Sequence, residues 1–153
     1  MNGKNYNKTI LLNYGLIICL SFFAMALGGA IYLFFRSTVP TFFYKIHFAG
    51  FEEKLISVRQ TSVSFGLHFP NWTIYSLPNG LWAFAYTLLI LFFWWGSTSK
   101  QKYFWLASIP ALVFGFEILQ LTAIPTGTFC WQDIVSGIIG ILFALLIGVK
   151  LKL

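Results

Sequence analysis

Four long runs of apolar residues divide the chain. They cover residues 9–35, 81–95, 103–124 and 133–149, and the segments between them hold most of the charged side chains. A helix needs about 20 mostly apolar residues to cross the hydrocarbon core of a bilayer. The pattern therefore predicts an all-α protein with four transmembrane helices.

The first run resembles a secretory signal peptide because Lys4 and Lys8 precede it and Ala24-Met25-Ala26 imitates a cleavage site. The apolar stretch nevertheless continues to Phe35. A signal peptide has a shorter apolar core, of about 7–15 residues, so we expect an uncleaved membrane anchor.

Residues 36–80 make up the longest segment between two apolar runs, and we expect an aromatic-rich loop there. This segment contains prolines at positions 40, 70 and 78, but it has too many apolar residues for a free linker. We expect it to lie on the membrane interface or to fold back over the helices. Residues 57–65 alternate weakly with a period of two, which leaves a short strand or hairpin open.

The composition agrees with a membrane protein. Of the 153 residues, 58% are hydrophobic and 9% are charged, and the mean hydropathy is +0.78. A soluble domain has about 45–50% apolar and about 25% charged residues. We therefore expect residues 1–153 to form a single membrane domain in contact with membrane lipids.

The formal net charge of +6 reflects basic residues beside apolar runs, so it predicts topology and not a nucleic-acid partner. Basic residues accumulate in cytoplasmic loops. We therefore expect both termini to be cytoplasmic, with residues 36–80 outside. The inside segments then contain Lys4, Lys8, Lys100, Lys102, Lys150 and Lys152.

Glu117 lies within the third apolar run, where a charged carboxylate is costly unless it is paired or hydrated. Gln120 follows three residues later on the same helix face. Either the two side chains form a functional site, or a protonated Glu117 joins helices through a hydrogen bond. Both interpretations turn Glu117 toward the inside of the helix bundle.

Asp133 stands where the fourth helix should begin, and a helix N-cap is its default interpretation. A short turn brings it near the Glu117 and Gln120 face, so we expect the three to converge at the outer face. Arg36 or Arg59 would supply a counter-charge, and aromatic residues would surround a pocket for a lipid head group, a lipid-linked glycan or a partner's chain terminus. These aromatic residues are Trp72, Trp82, Phe129 and Trp131.

The fourth helix has small residues at every fourth position: Ser136, Gly140, Ala144 and Gly148. Such spacing lets two helix backbones approach closely. The neighbouring helix belongs either to the same chain, which we favour, or to another protein.

The chain lacks the sequence motifs of several common enzyme and metal sites. The chain has no Gly-rich phosphate loop, no HExxH and no nucleophile elbow, and His47 and His68 have no third ligand spaced around them. We therefore expect no metal and no cofactor.

The segment from Glu117 to Gly140 resembles the VanZ-like family of small bacterial membrane proteins. The family pattern has a glutamate and a glutamine in one helix, a short loop, and an aspartate that opens a helix with spaced small residues. Here these are Glu117 and Gln120, then Thr126-Gly127-Thr128-Phe129, then Asp133, Gly137 and Gly140. The resemblance implies a four-helix envelope protein, in a family linked to glycopeptide (teicoplanin) resistance without an established catalytic mechanism.

Our leading hypothesis is a non-enzymatic four-helix protein of a bacterial cytoplasmic membrane that binds a lipid or another cell-envelope ligand at its outer face, around Glu117, Gln120 and Asp133. An alternative is a small accessory subunit that packs in a larger membrane complex through the fourth helix and the first loop. A hydrolase or transferase that uses Glu117 and Asp133 as an acid and base is a third hypothesis, for which the sequence offers no distinct nucleophile.

Overall fold

The computed structural model describes residues 3–36, 51–66, 69–122 and 129–151. These ranges contain six helices and no strand. The helices are α1 (Gly3–Phe35), α2 (Phe51–Gly66), α3 (Asn71–Tyr75), α4 (Leu77–Trp94), α5 (Gln101–Leu121) and α6 (Trp131–Lys150). Four of them, α1, α4, α5 and α6, are long and apolar enough to span a membrane, which confirms the predicted all-α fold with four spans.

The segment predicted as a loop over residues 36–80 contains α2, α3 and the beginning of α4. A strand or hairpin at residues 57–65 was an open alternative, and it is wrong because these residues lie in α2. Alternating Ser, Val and Thr residues have weak helix propensity, but contacts with the rest of the protein override it. The Arg59 side chain of α2 donates a hydrogen bond to the Leu33 carbonyl of α1 at 2.7 Å. Residues 37–50 and 67–68, including His47 and His68, lie outside the described residues.

The helix α4 begins at Leu77, earlier than the predicted residue 81, because Pro78 lies in its first turn. Proline is favoured there, since its missing N–H would have no partner within the helix. Asn79 and Gly80, predicted as part of a turn, are therefore helical. The other proline within a span, Pro110, lies inside a continuous α5.

The helix α4 lies at the centre of the bundle. Its most extensive contacts are with α6, followed by those with α1, while α5 contacts α4 and α6 much less. Ile17 of α1, Leu88 of α4 and Ala144 of α6 are fully buried and form the core where these three helices meet. In α5, the buried residues are Ile109 and Glu117. The peripheral position of α5 leaves space beside it.

The small residues of α6 lie against α4. A Cβ atom added to Gly140 would collide with the Gly80 carbonyl oxygen, so the two backbones touch. A Cβ atom added to Gly80 would lie 2.7 Å from the Ser136 carbonyl oxygen. Ala144 and Gly148 continue the same face of α6 and are buried. The close approach predicted for this stripe is thus made within the chain.

The two ends of the bundle differ. At one end, the Asn13 amide of α1 donates to the Leu151 carbonyl after α6 at 3.1 Å. At the opposite end, α1 and α5 end, and α4 and α6 begin. We call this opposite end the site end.

Candidate functional site

Glu117 lies in the last two turns of α5 and is 4% exposed. Its Oε2 accepts a hydrogen bond from the backbone N–H of Cys130 at 3.0 Å. Cys130 is the N-cap residue of α6, and the first amides of a helix have no partner within it. The Glu117 carboxyl therefore joins the end of α5 to the beginning of α6.

Asp133 is in the first turn of α6 and is not the N-cap, contrary to the default interpretation of the sequence. Cys130 has that position, and its side chain makes no capping hydrogen bond. The Asp133 Oδ2 instead accepts a hydrogen bond from the Asn79 side-chain amide of α4 at 2.7 Å. An acidic side chain in the first turn is also favoured by the positive end of the helix dipole.

The carboxyl groups of Glu117 and Asp133 are near enough to interact directly. The Asp133 Oδ1 is nevertheless buried, with no partner at good hydrogen-bond geometry in the described part of the chain. Two ionised carboxylates at short distance repel each other strongly in a medium of low dielectric constant. The two carboxyl groups can therefore lie side by side when they share a proton.

A pocket of about 430 Å³ lies beside the two carboxyl groups. One end of it is polar and contains Asn79, Glu117, Gln120 and Asp133. Its size falls within the range of about 300–1,000 Å³ that is usual for small-molecule sites. Three helices thus bring four polar side chains to one end of a single cavity.

The remaining walls of the pocket are mostly apolar. They include Met25, Trp82, Ile109, Leu112 and Phe116. Met25, Leu112 and Phe116 are 45%, 46% and 60% exposed. Since α1 and α5 have little contact with each other in the described ranges, we infer that the pocket opens between them, on a side that a bilayer would cover.

Tyr86 lines the pocket away from its polar end, about 10 Å from Asn79 along α4. Its hydroxyl is 2.7 Å from the Ser108 hydroxyl of α5. Ser108 Oγ donates to the Trp105 carbonyl, so Tyr86 is the donor to Ser108. The helices α4 and α5 are therefore joined directly at Tyr86, whereas at the polar end of the pocket each of them is joined to the beginning of α6, through Asn79 and Glu117.

Four of the six ligand-binding residues expected from the sequence line this pocket: Glu117, Gln120, Asp133 and Trp82. The Trp82 ring lies against α1, with Tyr32 at a centroid distance of 5.6 Å. Gly28 permits this approach, because a Cβ atom there would lie 2.7 Å from the Trp82 Nε1. The other aromatic residues expected around the pocket are absent from its described lining: Trp72, Phe129 and Trp131.

Arg36 and Arg59 were the other two expected residues, and neither lines the pocket. Arg59 is 5% exposed and donates to the carbonyls of Leu33 and Arg36, both at 2.7 Å. Arg36 donates to the Tyr75 carbonyl at 2.7 Å and lies over the Tyr32 ring. Carbonyl oxygens at the end of a helix attract cations, so both arginines stabilise helix ends at the site end.

Two residues of the site were missed by the sequence analysis. Asn79 precedes a glycine, and the Asn-Gly pair was interpreted as a turn. Tyr86 lies within an apolar run, where an aromatic residue carries no functional signal. The one feature of the sequence that could have indicated a role for Asn79 is its position as a polar residue directly before the second apolar run.

The described side chains that line the pocket are suited to ligand binding, and they include none of the usual nucleophiles of covalent catalysis. Its described lining includes no Ser, Thr, Cys, Lys or His side chain. In the described ranges, no group of three metal-ligating side chains comes together either. Carboxyl and amide groups remain, and these bind ligands through hydrogen bonds and charge.

No family model, no curated protein and no solved structure matches this chain significantly.

Proposed function

We propose that this chain is a VanZ-like protein of the cell envelope that binds a membrane lipid or another envelope ligand without transforming it. The pocket between α1, α4, α5 and α6 is the observation that carries this proposal. One end of the pocket has hydrogen-bonding groups, and the other walls are mostly apolar and include side chains that are 45% to 60% exposed. An amphiphilic molecule has this same division between a head group and a hydrophobic stem.

The proposed location is a bacterial cytoplasmic membrane, with both termini in the cytoplasm and the site end at the outer face. The distribution of Lys and Arg supports this orientation. An outward site end would present the polar end of the pocket to head groups of the outer leaflet and to envelope ligands. This location also agrees with the resemblance of residues 117–140 to the VanZ-like family.

The accessory-subunit hypothesis depended partly on the stripe of small residues in α6. Gly140 of that stripe contacts the backbone of α4, so this face is already used within the chain. A larger complex would have to use a different surface.

The hypothesis of a hydrolase or transferase requires a nucleophile, and the described lining of the pocket contains no Ser, Thr or Cys side chain. Ligand binding is therefore the function that we favour.

The proposal is tested by filling the pocket. Leu112→Trp adds bulk to the apolar wall, whereas Ile118→Trp adds the same group to an exposed position of α5 outside the lining. We expect native mass spectrometry to find bound lipid or envelope ligand on the natural protein and on I118W, but not on L112W. Equal occupancy of the three proteins, or no bound ligand in any of them, would contradict the proposal.

A cellular test follows from the family resemblance. We expect expression of the natural protein to reduce teicoplanin susceptibility of a suitable bacterium, and Glu117→Ala to abolish that effect at equal protein level. Binding and resistance that both persist in a folded E117A variant would exclude Glu117 from the proposed site.

A further inference from the structure

We propose that the ligand of this pocket has a primary ammonium head group on a hydrophobic stem. Asp133 would be its first carboxyl contact, and Glu117 would lie behind it. This inference rests on the proposed function, since it assumes that the pocket is a ligand site, and it adds the chemical class of the ligand.

The charges around the pocket favour a cation. Two carboxyl groups lie at its polar end, and its described lining has no Lys, Arg or His side chain. The helix ends contribute both signs, because two of the four spanning helices begin and two end at the site end. A phosphate or carboxylate head group would add a third acidic group in a region of low dielectric constant, where like charges repel strongly.

The hydrogen-bonding groups favour a donor. Asn79 satisfies one oxygen of Asp133, and the Cys130 amide satisfies one oxygen of Glu117. The Asp133 Oδ1 is buried and has no N–H or hydroxyl partner at good geometry among the described residues; the neighbouring Glu117 carboxyl bonds to the Asp133 carboxyl when one proton is held between them. A carboxylate only accepts hydrogen bonds, whereas a primary ammonium has three donors and no acceptor. An ammonium group would replace that shared proton, and it would supply both a positive charge and hydrogen-bond donors at this end of the pocket.

The residues that carry the two carboxyl groups differ in solvent exposure. Asp133, Gln120 and Asn79 are partly exposed, whereas Glu117 is buried behind them. The head group would thus contact Asp133 and Gln120 first. Its stem would extend along Leu112 and Phe116 and leave the pocket between α1 and α5.

The test compares head groups on a constant stem, with the full chain in a non-ionic detergent. We expect dodecylamine to bind at least about 10-fold more tightly than dodecanol or dodecyl phosphate, as one charged hydrogen bond provides. This comparison uses the natural protein alone, so it does not depend on the folding of any variant. Tighter binding of dodecanol or dodecyl phosphate, or equal binding of the three, would overturn the ammonium inference.

Two variants connect the preference to the carboxyl groups. Asp133→Asn and Glu117→Gln should each weaken dodecylamine binding by about 10- to 100-fold and leave dodecanol binding nearly unchanged. Gln132→Asn is the matched control, because Gln132 is an exposed neighbour of Asp133 outside the lining. If D133N and E117Q both fold and bind dodecylamine as tightly as the natural protein, the inference is wrong.

Nanodiscs distinguish two sources of the ammonium group. Selective retention of phosphatidylethanolamine over phosphatidylglycerol would identify a membrane lipid as the source. Binding of dodecylamine without such retention would identify a free amphiphilic amine.

The failure of the ammonium inference is distinguishable from the failure of the proposed function. If dodecanol or dodecyl phosphate binds and L112W abolishes this binding, but dodecylamine binds no more tightly, the pocket is a ligand site and only the ammonium inference fails. If no amphiphile binds, the proposed function fails with it.

Discussion

The Asn79 side-chain amide donates a hydrogen bond to the Asp133 carboxylate at 2.7 Å and so joins the first turns of α4 and α6. The two helices run in the same direction, and Gly80 and Gly140 bring their backbones together. A polar bond beside such a contact fixes the position of Asp133 at the polar end of the pocket. The site is therefore built on the most tightly packed pair of helices.

Replacing Asn79 should destabilise this end of the bundle. Asn79→Ala removes the donor to Asp133 and leaves a partly buried carboxylate oxygen unsatisfied, which costs about 1–3 kcal/mol. The free energy of unfolding in mixed micelles measures the effect. Gln132→Ala, at an exposed position of α6, serves as the control. An N79A variant as stable as that control would show that the bond contributes nothing to folding.

Gly140→Ala should be far more harmful than the same substitution at Gly115. At Gly140 the new Cβ atom meets the Gly80 carbonyl, which cannot move independently of α4, whereas nothing lies within 4 Å of a Cβ atom at Gly115. Overpacking of this kind costs about 1–3 kcal/mol. Thermal unfolding of the purified proteins should show a lower midpoint for G140A, and an unchanged or higher one for G115A.

Arg59→Lys should loosen α2 although the charge is conserved. The Arg59 guanidinium reaches two carbonyl oxygens, of Leu33 and Arg36, and one ammonium group does not reproduce this planar geometry. We expect a loss of about 1–3 kcal/mol for the carbonyl left without a donor. Faster amide hydrogen exchange in α2 would report it. Lys54→Ala, at an exposed position of the same helix, should leave the exchange unchanged.

Tyr86 and Ser108 should be energetically coupled. Their hydroxyl groups are 2.7 Å apart and connect α4 to the loosely packed α5. A double-mutant cycle of Tyr86→Phe and Ser108→Ala should give a coupling energy of about 0.5–1.5 kcal/mol, the net value of a typical hydrogen bond. Strictly additive effects on the free energy of unfolding would mean that the two hydroxyl groups act independently.

Hydropathy was sufficient to identify the four spans, because the length of an apolar run reports directly on the membrane thickness that it must cross. It did not identify α2, whose Ser, Thr and Val residues have weak helix propensity. That helix packs on the end of α1 through a buried arginine. A contact between residues 26 positions apart is not visible in a local pattern.

The site was predictable where a polar residue interrupts an apolar run. Glu117 stands out for this reason, and the three-residue spacing of Gln120 places it on the same face. The partner of Asp133 was not predictable, because Asn79 is 54 residues distant and reaches it only after α4 and α6 have packed. Arg59 was expected near the carboxyl groups on charge alone, but the nearer carbonyls of α1 bind it instead.

The backbone contact between Gly80 and Gly140 also determines how a ligand enters. No side chains separate α4 from α6 at this contact, so a change of side-chain rotamer cannot widen the gap between the two helices. The wall of the pocket that can move with the least loss of contact is therefore α5, which has few contacts with the other spanning helices and is mostly exposed. A ligand that enters between α1 and α5 would displace α5, and the Tyr86–Ser108 bond between α4 and α5 would resist this displacement and lengthen the residence time of the bound molecule.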